Sequence, residues 1–325
     1  MPRYAAVDIG SNSVRYMVAD VGESGRMATV AEGRQVTRLG ESVFSTGNVS
    51  AAAIADLSAV LARMAAEWRQ AEPLAVRAVA TAAIRDAGNG DEFVEAASRA
   101  AGVPIETISG QEEARLIHLG VEARWPHPNE RILLIDIGGG SAEVIEASGG
   151  AMRTAFSRPL GAVRLQSVFL RNDPPLKEEL TRLDEFIIEK LAAPARRIER
   201  GGFAKAIGTS AAASAIVCAA NRIPRTRRQE ADRRQASQSQ VRRLYQRLSA
   251  MTVGERRMVT GIGPRRAEII VPGVAVLLRA METFDVQSLA YCTAGVRDGV
   301  IRDLAERGVG RERARLNREN RALVE

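Results

Sequence analysis

The nine residues AAVDIGSNS at positions 5–13 recur in pattern as LLIDIGGGS at positions 133–141. Each copy is an apolar run with an aspartate near its end, followed by a turn of small polar residues. Asp8 and Asp136 stand 128 residues apart, an interval of domain size. An apolar run closed by Gly, Ser and Asn reads as a buried strand that leaves through a tight hairpin turn. Small residues let backbone amides approach phosphate oxygens, and serine hydroxyls add directed donors. Aspartates beside such turns can hold a divalent ion through oxygen or water contacts. One copy alone fits an ordinary hairpin. Two copies at this separation point to two lobes, each presenting a phosphate-binding loop.

Outward from the first copy, residues 4–9 read as a strand, 14–18 as its hairpin partner and 26–39 as a third strand. Residues 50–68 have a helical pattern, with Ser50 as cap and Ile54, Leu57, Leu61 and Met64 at three- or four-residue spacing. Residues 74–80 and 104–108 read as strands, 91–101 as a helix, and 109–119 as a loop leading into another helix. The proline-punctuated stretch Trp125-Pro126-His127-Pro128-Asn129 is the expected boundary. It divides a first lobe, 1–128, from a second, 129–325. In the second lobe, 131–137 and 142–147 repeat the strand–turn–strand pattern. A helix is expected over 175–197, a strand at 203–207 and an alanine-rich helix up to residue 220. Residues 258–282 read as a turn and a helix, with Pro272 requiring a bend or a helix start. A short strand follows at 286–291, and 302–325 reads as a terminal helix or frayed tail that can return to the first lobe.

Composition narrows the function. At roughly 150 residues per domain, 325 residues suggest two domains. Hydrophobic residues at 46% can fill ordinary cores, and aromatics at 4% argue against base-stacking platforms. Two cysteines, Cys218 and Cys292, exclude a disulfide framework and a four-cysteine zinc site. Two histidines, His118 and His127, exclude a three-histidine zinc centre; all four read as structural residues. No apolar run is long enough for a membrane span and no signal-peptide pattern opens the chain, so a cytoplasmic protein is expected. The formal charge is +7, and only Lys177, Lys190 and Lys205 among the 46 basic residues are lysines. Arginine forks suit phosphate and carboxylate. Residues 222–266 hold 13 arginines against 3 acids, which reads either as a solvated surface or as a track for a long polyanion. No nucleic-acid recognition motif accompanies it.

Several side chains are candidates for chemistry. Arg85 closes the neutral segment Val79-Ala80-Thr81-Ala82-Ala83-Ile84, where it can clamp a terminal phosphate or simply cap the segment. In Ser109-Gly110-Gln111-Glu112-Glu113-Ala114, a glutamate near a helix start can orient or deprotonate water, or serve only the helix dipole. Asp136, between an apolar strand and three glycines, would carry a costly buried charge unless a metal or amide donors offset it. Glu143 returns toward the same side, and Asp8 is the matching acid of the first lobe.

In order along the chain, AAVDIGSNSVRYMVAD (5–20), VATAAIRDAGN (79–89), ISGQEEARLIHLGV (108–121), LLIDIGGGSAEVI (133–145), SRPLGAVRL (157–165), GPRRAEIIVPGVAVLLRAME (263–282) and AGVRDGVIRDL (294–304) resemble the exopolyphosphatase/guanosine pentaphosphate phosphatase family. The resemblance covers nearly the whole chain. It implies an α/β fold of two ribonuclease-H-like lobes with mixed sheets, within the actin-like ATPase superfamily, and a magnesium-dependent phosphate site. On this resemblance Glu113 is the general base and Glu143 positions or activates water. Asp8 and Asp136 would organise Mg2+. Ser11, Asn12, Ser13, Arg85, Gly138, Gly139, Gly140, Ser141 and Gly208 would bind phosphoryl groups. The segment Ile207-Gly208-Thr209-Ser210-Ala211 departs from the family's glycine-rich turn, with Ser210 and Ala211 in place of glycines. The chain also lacks the extra helical domain of long members, so it resembles the short, two-domain branch.

The expected activity is release of orthophosphate from the end of inorganic polyphosphate. The enzymatic alternative is guanosine pentaphosphate 5′-phosphohydrolase, and the non-enzymatic one a phosphate-responsive polyanion-binding protein. The substituted 208–214 segment weakens a kinase reading. A homodimer is expected from the resemblance, with no membrane or nucleic-acid partner.

Overall fold

The computed structural model describes residues 1–308, folded as two α/β lobes on open mixed sheets. The first sheet contains β1 (Arg3–Ile9), β2 (Ser13–Val21), β3 (Met27–Val36), β4 (Ala75–Ala80) and β5 (Ile105–Thr107), in the order β3-β2-β1-β4-β5. The second contains β6 (Arg131–Ile137), β7 (Ala142–Ser148), β8 (Ala151–Arg158), β9 (Lys205–Thr209), β10 (Gln235–Ser237) and β11 (Ser288–Tyr291), in the order β10-β11-β9-β6-β7-β8. In each lobe a three-strand antiparallel meander starts the sheet, and the next strand lies parallel to the first. The nine-residue repeat therefore marks the start of two sheets with the same core order; β10 is an added antiparallel edge.

β1 and β6 are central strands, and both are buried along most of their length. Coverage on both faces explains why they read as continuous apolar runs rather than alternating ones. Strand β8 is covered by no sequence expectation. It is an edge strand with only Ala155 buried, so its apolar signal is weak.

The helix Ala51–Arg69 begins as its spacing predicts: Ser50 accepts a hydrogen bond from the Ala53 amide, and Ile54, Leu57, Leu61, Met64 and Trp68 face the first core. Pro272 sits in the first turn of the helix Ile270–Thr283, where its missing N–H leaves no intrahelical bond unmade.

Two helices cross between the lobes. The helix Gly110–Arg124 precedes the proline-rich stretch, yet its Ala114, Ile117 and Val121 pack with Ile132, Leu134 and Ile145 of the second sheet. Its Leu116 packs on the first sheet instead. The last described helix, residues 296–308, follows the second sheet but lays Val300, Ile301 and Ala305 against Tyr4, Ala6, Met17 and Ala19. The expectation for 309–325 lies outside the described residues. The linear boundary at 125–129 thus does not divide the cores, because the helix before it and the helix at the end each span the gap. Among the described residues no helix is long and apolar enough to cross a membrane.

Candidate active site

The β1–β2 and β6–β7 turns are built alike. The Gly10 amide donates to the Ser13 carbonyl at 3.1 Å, and the Gly138 amide to the Ser141 carbonyl at 3.0 Å. They also meet. A Cβ on Gly139 would lie 3.0 Å from Ser11 Cβ, and one on Gly140 would lie 2.6 Å from Ser11 Oγ. Closure of the lobes therefore requires bare backbone at these positions. The two turns form the floor of a cleft of about 500 Å³, lined by Asp8, Ser11, Asn12, Ser13, Glu113, Asp136, Gly138, Gly139, Gly140 and Ser141.

Register decides what stands opposite each aspartate. Asp8 pairs across the hairpin with Arg15, and Asp136 with Glu143. The repeat is thus asymmetric in charge: the first lobe presents an acid beside a base, the second two acids. Asp136 accepts a hydrogen bond from the Thr209 hydroxyl. Burial, with the Asp8 charge adding to it, raises Asp136 to about 6 against the Thr209 bond and Arg15. Burial likewise raises Asp8, offset by Arg15 and Arg297.

Glu113 is placed by the helix Gly110–Arg124, whose first turn is capped by Ser109 accepting from the Glu112 amide. Glu113 Oε2 accepts from Arg85 Nη1 at 3.2 Å, and the same nitrogen donates to the Ile108 carbonyl at 2.9 Å. Burial lifts Glu113 to about 7. Arg85 opposes the rise, while Asp8 and Asp136 reinforce it. Glu143 is fully buried and lies behind the cleft wall. Its Oε1 accepts from Ser157 Oγ at 2.7 Å, and its Oε2 has no partner among the described residues. Burial, then repulsion from Glu113 and Asp136, pushes Glu143 well above the usual carboxylate range. Glu143→Gln keeps the shape and removes this charge, so it is expected to raise stability by about 1 kcal/mol while phosphate release falls. Calorimetry beside a turnover assay checks both.

Asp8, Asp136 and Glu113 on one cleft, with Glu143 buried behind its wall and Glu113 near neutrality, suit hydrolysis that needs a general base. The chain matches the Ppx/GppA phosphatase family over residues 17–307. It belongs to that family. The Ppx/GppA protein is 28% identical to Exopolyphosphatase 1 of Mycobacterium tuberculosis over 92% of this chain and 87% of that one. It is 33% identical to an uncharacterised protein of Streptomyces coelicolor over 92% of this chain and 89% of the relative. The solved Aquifex aeolicus family member superposes with a TM-score of 0.80 at 27% identity, over 94% of this chain and 98% of the other. A member of a phosphatase family, the chain is an enzyme.

Not every expected residue faces the cleft of this Ppx/GppA protein. Arg85 is absent from the lining and holds Glu113 instead. Gly208 lies inside β9, paired with Ile135 and Tyr291. A Cβ there would meet Leu289 Cδ2 at 2.5 Å, and Gly208 is not among the residues that line the cleft. Ser210 does line the cleft, with φ 76°, the left-handed backbone that favours glycine. Its hydroxyl donates to the Ile137 carbonyl at 2.9 Å, a local bond that helps hold this conformation.

Eight of the thirteen arginines in 222–266 fall into two groups. Arg227, Arg242, Arg256 and Arg257 pair with Glu230, Glu282, Asp173 and Glu268. Arg225, Arg228, Arg265 and Arg266 line the cleft, joined by Arg15, Arg34 and Arg297 from outside the stretch. Crowding there is severe. Loss of water, then repulsion from Arg15, Arg228, Arg225 and Arg265, lowers Arg34 to about 10. Burial, followed by Arg15 and Arg34, lowers Arg266 to about 9.

Sequence reasoning missed Arg15, Thr209 and Ser157 as members of this site. Arg15 was visible only as a strand residue next to the first turn, and Thr209 only as part of the segment that follows the strand at 203–207. Ser157 opens the SRPLGAVRL element, but its partner became evident only from the register of β8.

Proposed function

We propose that this protein is an exopolyphosphatase that releases orthophosphate from the end of inorganic polyphosphate. The observation that carries the reading is Glu113, a buried carboxylate near neutral pKa, facing a two-turn cradle across a cleft lined with arginines. The Mycobacterium tuberculosis relative named as an exopolyphosphatase supports it. The terminal phosphoryl group sits between the β1–β2 and β6–β7 turns. The Ser11 hydroxyl, buried with no partner among the described residues, is a free donor for its oxygens. Glu113 takes a proton from water as the water oxygen bonds to phosphorus and the bridging P–O bond breaks. The departing oxygen stays on the chain shortened by one phosphate. Arg85 fixes one Glu113 oxygen, leaving the other for water, and Glu143 backs the same wall. The cleft arginines offset the charge of the remaining chain.

The donor set fits Mg2+. Asp8 and Asp136 are cleft carboxylates that burial makes costly to ionise without a cation. Among the described residues no group of three or more His, Cys, Asp or Glu forms a metal-ligand set; Mg2+ commonly takes one or two carboxylates, with waters and phosphate oxygens completing its shell. Bound there, the ion would supply charge neutralisation at the phosphoryl oxygens.

A product-resolved assay tests the reading. Tripolyphosphate, long-chain polyphosphate and guanosine pentaphosphate are compared at matched concentrations, with Mg2+ and with chelator. Orthophosphate together with chains one unit shorter is the expected product, and chelator is expected to stop its release. Faster turnover of guanosine pentaphosphate would transfer the assignment to that substrate. Binding without any release would leave a polyanion-binding protein.

A further inference from the structure

Three features bring strand β8 between the two glutamates of the site. Ser157 stands directly opposite Glu143 in the β7–β8 register, and its hydroxyl donates to Glu143 Oε1 at 2.7 Å. Ser157 also packs against the start of the helix that carries Glu113: a Cβ on Gly110 would fall 2.3 Å from Ser157 Cβ and 2.7 Å from its Oγ. Two residues away along β8, the Ala155 carbonyl accepts from Gln111 Nε2 at 2.9 Å, in the first turn of that helix. Strand β8 therefore fixes Glu143 through a side chain and the Glu113 helix through backbone contact and a hydrogen bond.

Besides Ser157, the Ser141 side chain also stands beside the Glu143 carboxylate, but Ser157 makes the 2.7 Å bond to it. Glu143 is fully buried, Oε2 has no partner among the described residues, and the side chain has rotatable bonds that one bond to Oε1 restrains. An Ala or Gly at 157 would leave both carboxylate oxygens without a side-chain donor from β8. The neighbouring glycine at 110 keeps Ser157 close enough to serve both sides.

We propose that Ser157 is a positioning residue for the hydrolytic step: it orients the Glu143 carboxylate and sets its spacing from the helix of Glu113. The proposal rests on the hydrolase reading above but not on which phosphoanhydride is the substrate. Ser157 is not among the residues that line the cleft. Its effect passes through Glu143, so its loss acts on turnover rather than on substrate capture.

The test is a double-mutant cycle. Ser157→Ala, Glu143→Ala and the double variant are assayed on whichever of tripolyphosphate, long-chain polyphosphate or guanosine pentaphosphate the unmodified enzyme hydrolyses fastest. Thermal melting is recorded for each. A hydrogen bond to a charged group is worth about 10- to 100-fold, so Ser157→Ala is expected to lower kcat by about that factor, with KM within about twofold. In the Glu143→Ala background the same change is expected to cost less than about threefold. Equal losses in the two backgrounds, or a loss carried by KM, would overturn the role. Unmodified enzyme that hydrolyses none of the three substrates would instead refute the hydrolase reading, a result separate from the cycle. Ser157→Cys keeps a weaker donor and is expected to fall between Ser157 and Ala in kcat. A Cys variant no better than Ala would also count against the hydrogen bond.

Discussion

Replacing Glu113 by Gln is expected to lower kcat by about 100- to 10,000-fold, the usual range for loss of a general base, while the protein stays folded. The amide is nearly isosteric and still offers Arg85 Nη1 an acceptor at the 3.2 Å contact. It cannot take a proton from water. The same residue sets a pH limb. A carboxylate serves as base only when ionised, and burial lifts Glu113 to about 7, so kcat/KM is expected to rise with pH up to roughly neutrality and then level off. Arg85→Gln removes the cation that holds Glu113 down, and the limb is expected to move to higher pH. Phosphate release followed from pH 5 to 9 reads both effects. A Glu113→Gln enzyme with near-normal release would remove Glu113 from the reaction.

The second large effect is structural. Gly299 lies in the helix of residues 296–308 where it crosses the helix Gly110–Arg124. A Cβ at 299 would lie 1.8 Å from the Leu116 carbonyl oxygen and 2.6 Å from its carbon. These are backbone atoms of a helix, so no side-chain rotation relieves the overlap. Gly120 makes the reciprocal approach, 2.5 Å from the Gly295 carbonyl oxygen by the same measure. Gly299→Ala must push the two helices apart. The expected cost is about 1–3 kcal/mol, or roughly 1–5 °C in Tm for a chain of this length. Phosphate release is expected to fall as well, because the displaced helix carries Glu113. Calorimetry and turnover on one preparation check the pair; a Gly299→Ala protein with unchanged Tm would mean that the helices do not meet this closely.

That crossing shows why the domain division read from the chain was incomplete. Prolines and turn residues at 125–129 mark a real interruption of regular structure. They carry no information about which sheet the preceding helix will cover. Helix Gly110–Arg124 has apolar residues for both sheets, Leu116 for one and Ile117 for the other. Only packing assigns them.

The site was legible to different depths. The turns around Ser11–Ser13 and Gly138–Ser141, with Asp8, Asp136 and Glu113, all line one cleft. Arg85 and Gly208 were read from their neighbours in sequence, and neighbours did not settle their roles. Arg85 turns from the end of a five-residue helix toward Glu113, and Gly208 lies close against Leu289, outside the cleft lining. The regional charge of 222–266 was visible, but which arginines stay free of carboxylates depends on acids as distant as Asp173, Glu268 and Glu282.

From the residues alone came the two strand–turn units, their aspartates and the α/β class, because strand burial and turn chemistry depend on a few consecutive side chains. The folded chain decided what faces what: Arg15 opposite Asp8 but Glu143 opposite Asp136, Ser157 reaching Glu143, and seven arginines converging on one cleft. Those relations follow from strand register and lobe closure. Both are set by the packing of elements far apart in the chain, and local sequence does not encode that packing in readable form.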